Sequence, residues 1–146
     1  MKRAITCFLI VFIVVAVATK IVLLNIPQEP PVIHDGNHIV LCHSEVRCPT
    51  CIRMERLIKK VLKEQQYADL NINFVSLEYD MPKNREFAER FRIGTLAVIL
   101  LEQKNGKTIR SGDISDETRS LIRTPDEFVK MLKAKLNEFY GQARHQ

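Results

Sequence analysis

Tryptophan is missing from this 146-residue chain, glycine occurs five times and cysteine only four times. Four cysteines are too few for a scaffold held by disulfides, so a stable domain has to rest on an apolar core. There is no glycine-rich phosphate loop and nothing else that reads as a flavin or nicotinamide site, so no cofactor is expected. Internal repeats and low-complexity tracts are absent too. A nucleic-acid partner would call for a concentrated basic stripe with exposed aromatics. Here 22 Lys and Arg stand against 17 Asp and Glu, a net charge of +5. The charges are mixed in sign along the expected helices, and Phe and Tyr recur at core-like spacing. That describes a soluble surface with a modest basic excess and no nucleic-acid role.

What the chain does have is a long apolar start. Lys2 and Arg3 precede an apolar run from Ala4 to Ala18, which Thr19 and Lys20 interrupt and Ile21 to Leu24 resume. A helix across the hydrocarbon needs about 20 apolar residues, a length reached here if Lys20 snorkels to the surface. The positive residues at the start would stay cytoplasmic and place the rest outside. The alternative is a signal peptide cleaved after the small-x-small triplet Ala16-Val17-Ala18. Residues 1–24 are thus a signal anchor or a signal peptide. Either way the domain is expected outside the cytoplasm, periplasmic or extracellular, tethered to the membrane or secreted after cleavage. Disulfides persist there. Residues 25–37, with Pro27, Pro30, Pro31 and Gly36, read as a linker. Residues 38–146 are long enough for one compact domain. Cys7 lies within the apolar run and is assigned no chemistry.

Within that domain, His38 to Cys42 is short and apolar, as a buried strand is. Ile52, Leu57, Ile58, Val61 and Leu62 recur at helical spacing between Pro49 and Glu64, with Arg and Lys among them. Asn71 to Leu77 alternates like a strand. Lys83 to Phe91 reads as a short helix, Leu96 to Leu101 as a central strand, and Asn105-Gly106 as the turn of a hairpin to Lys107–Ser111. Thr124, Pro125 and Glu127 mark the start of a last helix, whose apolar face is Phe128, Met131, Leu132, Leu136 and Phe139. This order gives an α/β fold: a central mixed four-stranded sheet, parallel in its first half through helical crossovers, antiparallel in its second, and flanked by helices.

The chemistry lies in Cys48-Pro49-Thr50-Cys51, a C-x-x-C between a strand and a helix, the setting in which this motif reads as redox. Unpaired N–H groups and the helix dipole place partial positive charge at a helix N-terminus, which stabilises a thiolate. Cys48 is the expected nucleophile, and Cys51, one turn on, resolves the mixed disulfide. Arg47 adds a formal charge beside Cys48. Glu45 and His43 are candidates for a base serving Cys51. A metal reading competes: Cys48 and Cys51 supply two ligands, and Cys42, His43, His34 or His38 would have to complete the set for Cu(I) or Zn(II). The redox reading needs no metal; its partners are protein thiols and disulfides.

With the motif so placed, the stretch from about His38 to Phe139 resembles the thioredoxin superfamily. Within it the chain is similar to a small family described as nitrophenyl compound nitroreductase subunit, ArsF-like. Carrying that likeness are Arg47-Cys48-Pro49-Thr50-Cys51, the basic helix after it, Asp80 with Pro82-Lys83-Asn84-Arg85, and Pro125-Asp126-Glu127-Phe128. The resemblance implies a thioredoxin-like fold, thiol–disulfide exchange through Cys48 and Cys51, and a subunit of a reductive system. A non-catalytic adaptor with the same fold is a further alternative. Two departures stand out. Where thioredoxins place a cis-proline opposite the cysteines, this chain has Leu96, for which a trans bond is expected. Where they carry a buried carboxylate six residues before the first cysteine, it has Cys42, expected as a buried inert thiol, with a third redox or metal-binding sulfur as the alternative.

Overall fold

A computed structural model describes residues 33–141, together with Phe12, Ile13, Val15 and Val17. Those four are helical and more than half exposed. No helix among the described residues is long and apolar enough to cross a membrane. The expected segment 1–24 otherwise lies outside the described residues, as does most of the linker.

Four strands form one sheet: β1 (Gly36–His43), β2 (Ile72–Glu78), β3 (Ala97–Lys104) and β4 (Lys107–Asp113). Their order is β2-β1-β3-β4. β1 and β2 are parallel, joined through α1 (Pro49–Leu62) and a single turn, α2 (Gln65–Ala68). β3 runs antiparallel to both β1 and β4. A short 3-10 turn (Pro82–Asn84) leads into α3 (Arg85–Arg90), and α4 (Ser115–Leu121) and α5 (Pro125–Gly141) close the chain. The β3–β4 turn is the expected Asn105-Gly106, with φ of 54° and 68°. Positive φ at both positions matches the right-handed twist of the strands.

Strand alternation sorts the core into two layers. Ile39 and Leu41 of β1 and Val98 and Leu100 of β3 face α1 and α5, packing with Met54, Ile58, Val61, Phe128, Leu132 and Leu136. Val40, Cys42, Ile99 and Leu101 face the other way, with Leu77 of β2 and Phe87 and Phe91 in and beside α3. Burying both faces of β1 and β3 explains why their sequences are continuous apolar runs.

Three features differ from the sequence reading. β1 starts at Gly36, and the fold takes in the end of the expected linker: Ile33 packs on the second core layer, and the Asp35 carboxylate accepts from the N–H groups of Asn105 and Gly106 at 2.7 and 2.9 Å. Those bonds hold its pKa below the usual carboxylate value. α2 is too short to show a period; it seats the buried ring of Tyr67. α4 was absent from the expectation because Ser-Asp-Glu-Thr-Arg-Ser-Leu has almost no apolar pattern. Its signals are polar: Asp113 accepts from the Ser115 N–H at 2.8 Å, Asp116 and Glu117 sit in the first turn and Arg119 in the last.

Candidate active site

The end of β1 delivers the chain to a five-residue loop and then to α1. Asp80, in the turn after β2, holds that loop: its carboxylate accepts from the Glu45 N–H at 2.9 and 3.1 Å. The Tyr79 N–H donates to the His43 carbonyl at 2.9 Å, and Ser44 Oγ donates to the Val46 carbonyl at 2.8 Å. Sequence reasoning cited Asp80 only as part of a resemblance; its role is to fix the approach to Cys48.

Cys48 is the N-cap of α1, and its sulfur accepts from the Cys51 N–H at 3.3 Å. Pro49 occupies the first helical turn, where its missing N–H costs nothing. Cys48 is exposed, whereas Cys51, one turn on, is 3% exposed. Both are free thiols, and their sulfurs stand 2.6 Å apart. Little motion separates this from the roughly 2.05 Å of a disulfide bond.

The two thiols are pushed apart electrostatically. Cys48 falls below its ordinary 9.0: the hydrogen bond from the Cys51 thiol acts most, partial desolvation opposes it, and the N–H groups of Cys51, Thr50 and Cys48 lower it further. Cys51 rises, through burial first and the proton it shares with Cys48 second. The arrangement is a thiolate at the surface with a protonated thiol behind it, which suits Cys48 for attack and Cys51 for resolution.

The other candidates fare differently. Arg47 does not serve Cys48: its guanidinium pairs with the Glu55 carboxylate, and backbone N–H groups do the work expected of it. Glu45 is exposed, and its side chain makes no hydrogen bond to either cysteine. His43, the other candidate base, is held in place. It closes β1, 2% exposed, with Nδ1 bonded to the Ser44 carbonyl and Nε2 to Ser76 Oγ, at 2.7 and 2.8 Å. Both ring nitrogens are occupied, so it cannot swing toward Cys51 without breaking two bonds.

Cys42 is fully buried among Val40, Leu77, Ala97 and Ile99, on the face of the sheet opposite α1. Burial, with a lesser contribution from Asp113, raises its thiol to about 12. The position that resembles the thioredoxin carboxylate is thus turned away from the dithiol, because α1 packs over Ile39 and Leu41 instead. Among the described residues no three His, Cys, Asp or Glu side chains converge as a metal site would require. Leu96 has a trans peptide bond, is half-buried, and offers its carbonyl to Arg119 Nη1 at 2.8 Å. α4, unseen in the sequence, therefore anchors the residue in the proline slot.

The strand order, the parallel crossover through α1 and the cysteine pair at the start of that helix make the fold thioredoxin-like. Among solved structures the chain is similar to mitochondrial thioredoxin 3 of Saccharomyces cerevisiae (18% identity over 64% of this chain and 80% of that one, TM-score 0.40). It is also similar to the germline-specific thioredoxin Deadhead of Drosophila melanogaster (16% identity, 61% and 79%, TM-score 0.40) and to Trxlp of Edwardsiella tarda (20% identity, 53% and 69%, TM-score 0.38). No protein-family model matches the chain, and no curated protein matches it.

Proposed function

We propose that this chain is a thiol–disulfide oxidoreductase that exchanges disulfides with protein partners, tethered by residues 1–24 with its domain outside the cytoplasm, and a member of the ArsF-like family it resembles. The observation that carries the proposal is the cysteine pair itself. An exposed thiol lowered at the N-terminus of α1 lies 2.6 Å from a buried, protonated one. In the reducing direction the Cys48 thiolate attacks one sulfur of a client disulfide. A mixed disulfide forms, and the other client sulfur leaves as a thiolate. Cys51, giving up its proton, then attacks Cys48, closing the Cys48–Cys51 disulfide and releasing the second client thiolate. The client gains two electrons and the protein loses two. A dithiol donor restores the reduced pair, and the reverse sequence oxidises a client.

The test is a titration of the full chain in glutathione buffers, with thiol trapping and mass spectrometry of the cysteine peptides. One two-electron transition confined to Cys48 and Cys51 is expected, and its midpoint ranks the protein as reductant or oxidant. No transition at this pair, with Cys48 unreactive, overturns the proposal.

A further inference from the structure

The charge of this molecule is unevenly placed. From Arg47 to Lys63 there are six cationic side chains and one carboxylate, Glu55; the rest of the chain balances at 16 of each sign. The whole net charge of +5 therefore belongs to α1, its C-cap Lys63 and Arg47 before its N-cap. Arg47 and Lys59 both pair with Glu55, which neutralises the one acidic group on the helix. Arg56, Lys60 and Lys63 are exposed and form no ion pair among the described residues.

These cations line a groove of about 700 Å³ that also takes in Arg47 and Ile52, which flank the Cys48–Cys51 motif in the chain. Ile52, 45% exposed, lines it one residue after Cys51, and Val46, 82% exposed, lies two residues before Cys48 in the chain. Ile52, Arg56, Lys60 and Lys63 follow one another at spacings of four, four and three, a single face of the helix. That face runs about 16 Å at 1.5 Å per residue, the length of about five residues of extended chain.

We propose that this groove docks an acidic, extended segment of the client protein, beside the cysteine that Cys48 attacks. The inference rests on the exchange reading above and names the client's chemistry. Charge complementarity calls for the acid, and the exposed Val46 and Ile52 give the segment an apolar foothold at the thiol. A nucleic acid would want rings to stack on, and the exposed large apolar side chains of the domain are Val46, Ile52 and Ile109. The occupant has to bring a disulfide to Cys48 while it lies along this helix face, which a polypeptide does and a bilayer does not.

The experiment uses the full chain in neutral detergent and peptides with one internal disulfide, identical except that the flanking residues are Glu, Ser or Lys. The reduced protein is expected to reduce the Glu peptide about ten-fold faster than the Ser peptide at low salt, with the Lys peptide slowest and the spread closing as salt rises. The combined variant Arg56→Glu, Lys60→Glu, Lys63→Glu is expected to invert that order. Its rate toward hydroxyethyl disulfide, small and uncharged, stays at the wild-type value and shows that fold and dithiol are intact. Equal rates on the three peptides, with hydroxyethyl disulfide reduced normally, overturn the docking inference and leave the exchange reading standing. No reduction of any disulfide overturns both. Equal rates, together with Lys60 and Lys63 shielded from amine acylation in phosphatidylglycerol nanodiscs but not in phosphatidylcholine ones, assign the patch to the bilayer and also overturn it.

Discussion

Cys42 and Cys48 lie six residues apart, either side of the loop that leaves β1, and the protein treats their identical thiols in opposite ways. At the end of the sheet Cys42 is fully buried in an aliphatic and aromatic layer, and its pKa is pushed up to about 12. At the start of α1 Cys48 is exposed, takes hydrogen bonds from Cys51 and from free N–H groups, and is lowered. Desolvation opposes a thiolate, and donors aimed at the sulfur favour it; each dominates at one site. The contrast comes from what surrounds each sulfur, and a formal charge nearby in sequence, such as Arg47, counts for little once the Glu55 carboxylate has claimed it.

The sharpest way to break that comparison is to remove each thiol in turn. Cys48→Ser is expected to cut exchange about a thousand-fold or more, to the rate without enzyme, because a hydroxyl cannot replace the thiolate. Cys42→Ala is expected to leave the exchange rate within about two-fold and to lower stability by about 1 kcal/mol for the small cavity it opens. Stopped-flow reduction of a disulfide peptide and a denaturation curve check both. Loss of exchange in the Cys42 variant would mean that the second core layer communicates with the dithiol.

Next in size is an effect of alkali. The folded pKa of Cys42 is raised, so its protonated thiol supports the fold fully below the unfolded value of 9.0, and that support is lost as pH climbs toward about 12. While the unfolded thiol ionises and the folded one does not, stability falls by up to about 1.4 kcal/mol per pH unit from this group. Tyr140, also raised by burial, and Lys135, raised by Glu117, add slopes of the same sign, so the variant is the control. Denaturant midpoints at about pH 8 and about pH 10 are expected to fall less in Cys42→Ala than in the parent chain.

The smallest effect sharpens the comparison from the reactive side. Arg47→Ala is expected to leave the pH profile of Cys48 alkylation essentially where it is, because an exposed charge already paired with Glu55 is largely screened. Alkylation rates of Cys48 measured across a range of pH in the variant and the parent chain check this. A clear upward move of that profile would restore Arg47 to the role that its position beside the cysteine suggests.

Much of this was legible beforehand, for reasons visible in particular elements. β1 and β3 are runs of branched and aliphatic residues, α1 and α5 carry helical periods with proline near the start, and Asn105-Gly106 can hardly be anything but a tight turn. α4 was not legible, since its place is set by Asp113, by Ser115 Oγ accepting from the Val98 N–H at 3.0 Å, and by Thr118 reaching back to the Ile114 and Ser115 carbonyls. Such bonds join residues that a linear pattern of apolar positions does not connect. Asp80 was missed as a site residue for the same reason: it is 35 positions from the Glu45 N–H it holds.

The sequence by itself determined the sheet's composition, the helix that follows β1 and the two cysteines at its start, because periodicity and capping are local properties of a chain. Tertiary structure decided that Cys51 is buried behind an exposed Cys48, which face of the sheet takes Cys42, where the guanidinium of Arg47 goes, and which carboxylate holds the loop before the thiol. Each of those depends on desolvation or on a partner brought close by folding, and neither distance nor burial is written in the order of residues.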